Sequence, residues 1–342
     1  MAMYFGVDTG GTSTRIARIN QGRIMGQVIK FPTPKGDPRD LVAALNTAMR
    51  EHTDFSAIKG IGISFAGPLN NGIVSQGPNI WGDKHRNVPL ELMVAEETGK
   101  PTKLANDMDA ATARESYWGV GAGLSSFSLT TVSSGVGSRQ VINGVVVGGQ
   151  RGIAGEIGHI VIEQNSTVKC GCGRFGHLES FASGNAAKTA LIDSAMRSIK
   201  LKDGAFASSV LWPEGLVSTS WSDLHSSLEQ QLDTFKLAQA VKEQDNFALN
   251  VLDQVARPMA LGINIVSALS MPAKVFIMGG FGIGMGEPYL WLLRSNLVKL
   301  GMIGIESAEL PKFADNLIAS ATKDDNSGLI GSATLCERSL GA

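Results

Sequence analysis

At 342 residues, with 43% hydrophobic and 18% charged residues, the chain has the composition of a folded globule and the length of one large or two mid-sized domains, two being the expected number. A formal net charge of −1 leaves no summed basic field to draw in a nucleic-acid backbone or an anionic membrane, so neither partner is expected. No basic segment followed by a long apolar run opens the chain, and its most apolar later stretch, 265–285, is broken by Pro272, Lys274 and several glycines. Neither secretion nor a membrane span is expected, and the expected location is cytoplasmic.

Taken in chain order, Tyr4–Val7 reads as a short buried strand, Thr9–Thr12 as a glycine-rich turn, and Arg15–Asn20 with Ile24–Phe31 as a hairpin turned at Gln21-Gly22. Asp37 before Pro38 is an N-cap and first-turn pair, and Leu41, Ala44, Leu45, Ala48 and Met49 recur at helical spacing up to His52. Ile58–Phe65 is a strand ending at Ala66-Gly67-Pro68. Thr102–Ala105 is another, ending at Asn106-Asp107 ahead of a helix over Met108–Trp118. Ser126–Val132 runs into Ser133-Ser134-Gly135-Val136-Gly137 and a second hairpin turned at Asn143-Gly144, so the order strand, glycine loop, hairpin occurs twice, a faint internal duplication. Arg151–Gly184 is dense in Gly, Cys, His and Glu. Beyond it helices dominate as far as a strand over Lys274–Met278 that enters Gly279-Gly280. Leu201–Asp233 reads as an irregular insertion and Leu329–Arg338 as a closing helix. This order predicts α/β domains with ligands bound outside the carboxyl ends of the strands, in a cleft between two such domains.

Three constellations carry chemistry. Asp8-Thr9-Gly10-Gly11-Thr12 reads either as a β-turn capped by Asp8 or as a phosphate loop. In the second reading glycine N–H groups approach phosphate oxygens and a carboxylate holds hydrated Mg²⁺. Thr131–Gly137 and Gly279-Gly280, with Gly282 and Gly284, are two further loops of this kind, and three together fit two lobes closing on a nucleotide. Cys170-Gly-Cys172-Gly-Arg-Phe-Gly-His177, with His159 eleven residues before Cys170, supplies two sulfur and two nitrogen ligands. That is a complete tetrahedral set for a structural Zn²⁺, with no position open for water. The alternative is a pair of reduced thiols beside unrelated histidines, since three cysteines are too few for a disulfide framework. Asn106-Asp107 before a helix is either an N-cap or a catalytic carboxylate. In the latter case Asp107 takes the proton of a substrate hydroxyl, with Glu156 and Glu179 available to bracket others.

On Asp8-Thr-Gly-Gly-Thr12, Asn106-Asp107, Gly155-Glu-Ile-Gly-His159 and Cys170-Gly-Cys-Gly-Arg-Phe-Gly-His-Leu-Glu179, the chain resembles the ROK family of repressors, open reading frames and kinases, from Tyr4 to the C-terminus. The resemblance implies a two-lobed, actin-like ATPase fold of the hexokinase-type, RNase H-like kind, with an interdomain cleft. Residues 1–106 with a returning helix at 325–342 would form the small lobe, and 107–324 a large lobe carrying the zinc and sugar loop. It implies ATP-dependent phosphoryl transfer to a hexose hydroxyl, O6 of glucose or of an N-acetylhexosamine such as N-acetylmannosamine or N-acetylglucosamine, with Asp107 as general base. Gly67, Asn79, Asn106, Asp107, Glu156, His159 and Glu179 are then the sugar residues. Asp8, Gly10, Gly11, Thr12, Ser134, Gly135, Gly137, Gly279 and Gly280 hold ATP and its Mg²⁺, and His159, Cys170, Cys172 and His177 hold zinc. His159 serves twice, one nitrogen on zinc and the other on a sugar hydroxyl. The family also implies a homodimer.

Two departures from the family pattern stand out. His177 replaces a usual third Cys, and Ser133-Ser134-Gly135 replaces a usual Gly-Thr-Gly, where the Cβ of Ser133 can crowd a phosphate. Arg139 stands where a small residue is common. The alternative readings are a sugar-sensing regulator, although the family's repressors carry a helix-turn-helix ahead of the phosphate loop, and a sugar-binding protein without turnover.

Overall fold

The computed structural model describes residues 2–51, 55–149, 152–214, 216, 220–323 and 325–341; His52 and Arg151 lie outside them. It divides into two units, one of 1–125 with 141–155 and 324–342, the other of 126–140 with 156–323.

The first unit opens with β1 (Met3–Thr9), β2 (Ser13–Asn20), β3 (Arg23–Pro32), α1 (Pro38–Arg50) and β4 (Ile58–Phe65). A small antiparallel sheet of β5 (Leu69–Asn70), β6 (Ile73–Gly77) and β7 (Gly82–Val88), with α2 (Pro78–Trp81) inserted, leads to α3 (Leu90–Thr98), β8 (Thr102–Asn106) and α4 (Asp107–Trp118). The main sheet runs β3-β2-β1-β4-β8, antiparallel across the hairpin and parallel from β1 through β4 to β8. Parallel strands are buried on both faces, which is why β1 and β4 are near-continuous apolar runs.

The second unit begins with β9 (Phe127–Val132) and β10 (Val136–Ile142), whose last residues pair with β11 (Val145–Val146) in a hairpin tip that counts with the first unit. Then come α5 (Glu179–Ala182), α6 (Gly184–Leu201), α7 (Trp221–Gln231), α8 (Thr234–Lys242), α9 (Asn246–Ser270) and β12 (Val275–Met278). After these, α10 (Gly280–Met285), α11 (Glu287–Leu300), α12 (Leu310–Leu317) and β13 (Ile318–Ser320) complete the unit. Its sheet is ordered β10-β9-β12-β13, with β12 parallel to both neighbours. The long α9 buries an apolar stripe against α6, α8 and α11, forming the larger core.

The closing helix, α13 (Ser327–Leu340), returns to the first unit and packs on β1, β4 and α4. The approach is backbone to backbone: a Cβ on Gly62 would stand 1.9 Å from the Ser332 carbonyl oxygen, and one on Gly331 1.7 Å from that of Ala110. Because α4 is clamped under α13, the division falls after Ser125 rather than after Asn106, and residues 107–118 belong with the first unit. The expected irregular insertion is also partly ordered as a helix. Ser220 accepts the Asp223 N–H at 3.1 Å as an N-cap, and Leu224 and Leu228, one turn apart, are buried in the core.

Candidate functional site

The carboxyl ends of β1, β4 and β8 lie along one edge of the first sheet. The register sets Asp8 beside Arg15 and Ser64, and Phe65 beside Asn106. The Gly10–Thr12 turn joins β1 to β2: the Gly10 N–H donates to Ser13 O at 3.1 Å, Thr33 Oγ1 donates to Gly10 O at 2.8 Å, and Thr12 is exposed at the tip. Asp8 contacts Arg15 and the start of α13. Its Oδ2 accepts from the Arg15 guanidinium at 2.7 Å, and its Oδ1 lies 2.4 Å from where a Cβ on Gly328, in the first turn of α13, would be. Arg15 reaches on to the Asp325 carboxylate at 3.3 Å and to the Asp325 carbonyl, tying the segment just before α13 to β2 and, through Asp8, to β1. Asn79 abuts the same turn, 3.0 Å from a Cβ built on Gly11, and Lys35 Nζ donates to the carbonyls of both Gly11 and Asn79. Arg15 and Lys35 join these groups although no motif in the sequence marks them. The signal for Arg15 was its strand position opposite Asp8; nothing local marks Lys35.

Asn106 is the N-cap of α4, and Asp107 is a separate group beside it. Asn106 Oδ1 accepts the Met108 N–H at 2.9 Å while its Nδ2 donates to Gly67 O at 3.0 Å, so one side chain stitches the ends of β4 and β8 together. Asp107 stands exposed in the first helical turn, its Oδ1 also accepting the Met108 N–H at 2.9 Å. Gly67, Asn106 and Asp107 thus share one corner of the unit.

In the second unit the parallel pairing of Thr131 with Met278 sets the loop after β9 beside the turn after β12. Gly279, at φ +90°, lies against the Val132 carbonyl, while a Cβ on Gly280 would be 3.9 Å from Ser133 Oγ. The Ser133 side chain therefore borders the Gly279-Gly280 turn, and Ser134 is exposed at the loop tip. Two contacts bind Glu179 and the turn bearing Glu156 and His159 to this glycine loop. A Cβ on Gly158 would stand 2.1 Å from Val136 O, so the turn bearing Glu156 and His159 packs directly on the start of β10. Glu179 Oε2 accepts the Val136 N–H at 3.0 Å and comes within 2.3 Å of a Cβ on Gly135; Gly137 beyond it faces Thr131.

Glu179 also joins this loop to the sulfur cluster, its Oε1 accepting from Cys170 Sγ at 3.5 Å. The ligand atoms of His159, Cys170, Cys172 and His177 all lie within 4.8 Å of one another, and burial pushes the Cys170 thiol up. The separations are 3.6 Å from Cys170 Sγ to His159 Nδ1 and 3.3 Å from Cys172 Sγ to His177 Nδ1. A tetrahedron with Zn–S about 2.3 Å and Zn–N about 2.0–2.1 Å has sulfur-to-nitrogen edges of roughly 3.5 Å, so donor set and spacing fit zinc. Backbone bonds shape the loop without the metal: Cys170 N–H to Arg174 O at 2.7 Å, Gly173 N–H to Cys170 O at 2.8 Å and Leu178 N–H to Ile160 O at 2.9 Å.

Two α/β units, each with parallel strands ending in glycine turns, and a Cys/His cluster joined to a glycine loop through Glu179 define the class of fold and site. The ROK family model matches residues 4–339. The chain belongs to the ROK family, and its fold is the actin-like ATPase fold of that family. It is 29% identical to a C(7)-cyclitol 7-kinase of Streptomyces hygroscopicus subsp. limoneus over 98% of this chain and 94% of the relative. It is 30% identical to a glucokinase of Halalkalibacterium halodurans over 98% and 95%. The crystal structure of a ROK glucokinase from Streptomyces griseus with glucose and AMPPNP superposes with a TM-score of 0.71 at 25% identity, covering 98% of this chain and 100% of that one.

Proposed function

We propose that the protein is an ATP-dependent sugar kinase that transfers the γ-phosphoryl group to a primary hydroxyl of a cyclic polyol, with Asp107 as general base. The observation that carries this reading is the shared sheet edge of the first unit, where the glycine turn after β1 and the carboxylate after β8 are separated by β4 alone. Two strand spacings, about 10 Å, leave room for a phosphoryl group between the phosphate turn and the base. A hydroxyl is a poor nucleophile until its proton has somewhere to go, and Asp107 accepts it as the phosphorus–oxygen bond forms. Asp8 orients the hydrated Mg²⁺ of the nucleotide. The Gly10-Gly11-Thr12 turn, Ser134-Gly135 with Gly137, and Gly279-Gly280 offer backbone N–H groups to its phosphates.

Gly67, Asn79, Asn106, Glu156, His159 and Glu179 are the sugar-binding residues. His159, Cys170, Cys172 and His177 would hold zinc, which would supply a fixed geometry rather than chemistry, since four protein ligands complete its tetrahedral set. His159 turns Nδ1 to the cluster, which leaves Nε2 for a substrate hydroxyl. If zinc took Cys170 as a thiolate, its S–H would no longer be donated to Glu179 Oε1, and that oxygen would be free to accept from the sugar.

Glucose and the N-acetylhexosamines are the expected substrates, and the cyclitol kinase relatives add a C7 carbocycle to the set. We expect a homodimer working in the cytoplasm; among the described residues no helix is long and apolar enough to cross a membrane. A coupled ADP-release assay with ATP and Mg²⁺ across glucose, mannose, fructose, N-acetylglucosamine, N-acetylmannosamine and a C7 cyclitol tests the reading. Turnover with at least one supports it, and binding without turnover across the panel would replace it with a sugar-binding role.

A further inference from the structure

Arg139 is 1% exposed and the largest fully buried side chain among the described residues. Burying a guanidinium is costly unless its N–H groups meet acceptors and its charge meets a partner. Arg139 Nη1 donates to the Ser138 carbonyl at 3.1 Å and reaches Glu156 Oε1 at 3.5 Å. The pair is lopsided, because the Glu156 side chain is 42% exposed while its cation is sealed inside. Alternation along β10 explains the direction. Ser138 and Gln140 turn to one face, where they bond with Ser128, Thr130 and Ser270, and Arg139 turns to the other. The turn carrying Glu156 is therefore held to β10 at two points, by the backbone contact of Gly158 with Val136 and by the ion pair of Glu156 with Arg139.

We infer that Arg139 is a positioning residue of the sugar site: it pins the Glu156 carboxylate against β10 and occupies one of its oxygens, so that a polyol meets Glu156 through a single hydroxyl in a fixed direction. The inference rests on the reading of Glu156 as a sugar ligand. A carboxylate with both oxygens free grips two neighbouring hydroxyls and rotates to suit them, whereas one oxygen held by a guanidinium cannot follow an epimer. The effect belongs to ground-state recognition, since the contact argued from runs to Glu156, a sugar ligand in this reading.

The test uses the full chain with Arg139→Met, Arg139→Lys and Glu156→Gln, singly and in combination. Arg139→Met should raise the sugar KM about 10-fold, equivalent to about 1.4 kcal/mol, with kcat and the KM for ATP within about 3-fold. Arg139→Lys should recover part of the loss, and Arg139→Met should add less than about 2-fold once Glu156→Gln is present. An unchanged sugar KM in Arg139→Met, or losses that simply multiply in the double variant, would overturn the inference. If Arg139→Met does not fold, Arg139→Lys with Glu156→Gln answers the same question through the same non-additivity. If the wild type turns over no sugar, it is the proposed activity that fails. The thermal midpoints of wild type, Arg139→Met, Glu156→Gln and their double variant then decide for Arg139 alone, non-additive shifts supporting the pinned pair and additive shifts removing it.

Discussion

Gly158→Ala offers the sharpest test of how the turn bearing Glu156 and His159 is held. Gly158 is absent from the positive-φ positions of the chain, so alanine adds no backbone strain there and the whole effect is steric. Its Cβ would stand 2.1 Å from the Val136 oxygen and 3.1 Å from the Val136 carbon. Carbon and carbonyl oxygen meet comfortably at about 3.3 Å, so the two backbones must part by roughly 1 Å. Val136 yields little, because its N–H is bound to Glu179 and its side chain is in the core. The displaced partner is then the turn bearing Glu156 and His159. A positioned group moved by about 1 Å can cost on the order of 10²-fold, so kcat/KM for the sugar should fall by about that factor. Overpacking should also cost about 1–3 kcal/mol of stability. His159 Nδ1, 3.6 Å from Cys170 Sγ, moves with the turn, so bound zinc should drop as well. A coupled ADP assay, metal analysis and circular dichroism on the same preparation read all three. Wild-type kcat/KM with full zinc content would show that the Val136 contact does not set the loop.

Asp107→Asn should lower kcat by about 10²- to 10⁴-fold while sugar binding, followed by calorimetry, persists; turnover near wild type would remove Asp107 from its role as base. Stripping the metal with a chelator should raise the sugar KM before the far-ultraviolet signal is lost, and an unchanged sugar KM in folded, zinc-free protein would contradict the double role of His159. Burial pushes the Cys336 thiol up to about 11, from an ordinary value of 9.0. The proton is held more tightly in the folded chain, so this stability is complete below pH about 9 and is lost as pH rises through about 11. Cys336→Ala should flatten the alkaline limb of the urea midpoint against pH, and an unaltered limb would assign it to another group.

Much of the first unit could be read from local pattern: the hairpin at Gln21-Gly22, the Asp37 cap, and the strands that end at Gly67 and Asn106. The two-residue β5, the polar β7 and the weakly patterned α3 could not be read, because so few residues carry no period. The insertion hid α7 for the same reason, since Leu224 and Leu228 are its buried residues among polar neighbours.

What the amino-acid order determined by itself was chemistry of short range. It set the thiols and imidazoles of the Cys170–His177 loop, the capping side chain at Asn106 and the glycine turns that follow strands, because each depends on residues a few positions apart. Which distant groups meet was decided by tertiary structure alone. Arg15 reaches Asp325, Lys35 bridges Gly11 and Asn79, Glu179 ties Val136 to Cys170, and Arg139 turns inward to Glu156. Such pairings follow from strand register and from the backbone clearance at a single glycine. Neither leaves a trace in the spacing of residues along the chain, because both are properties of two segments brought side by side.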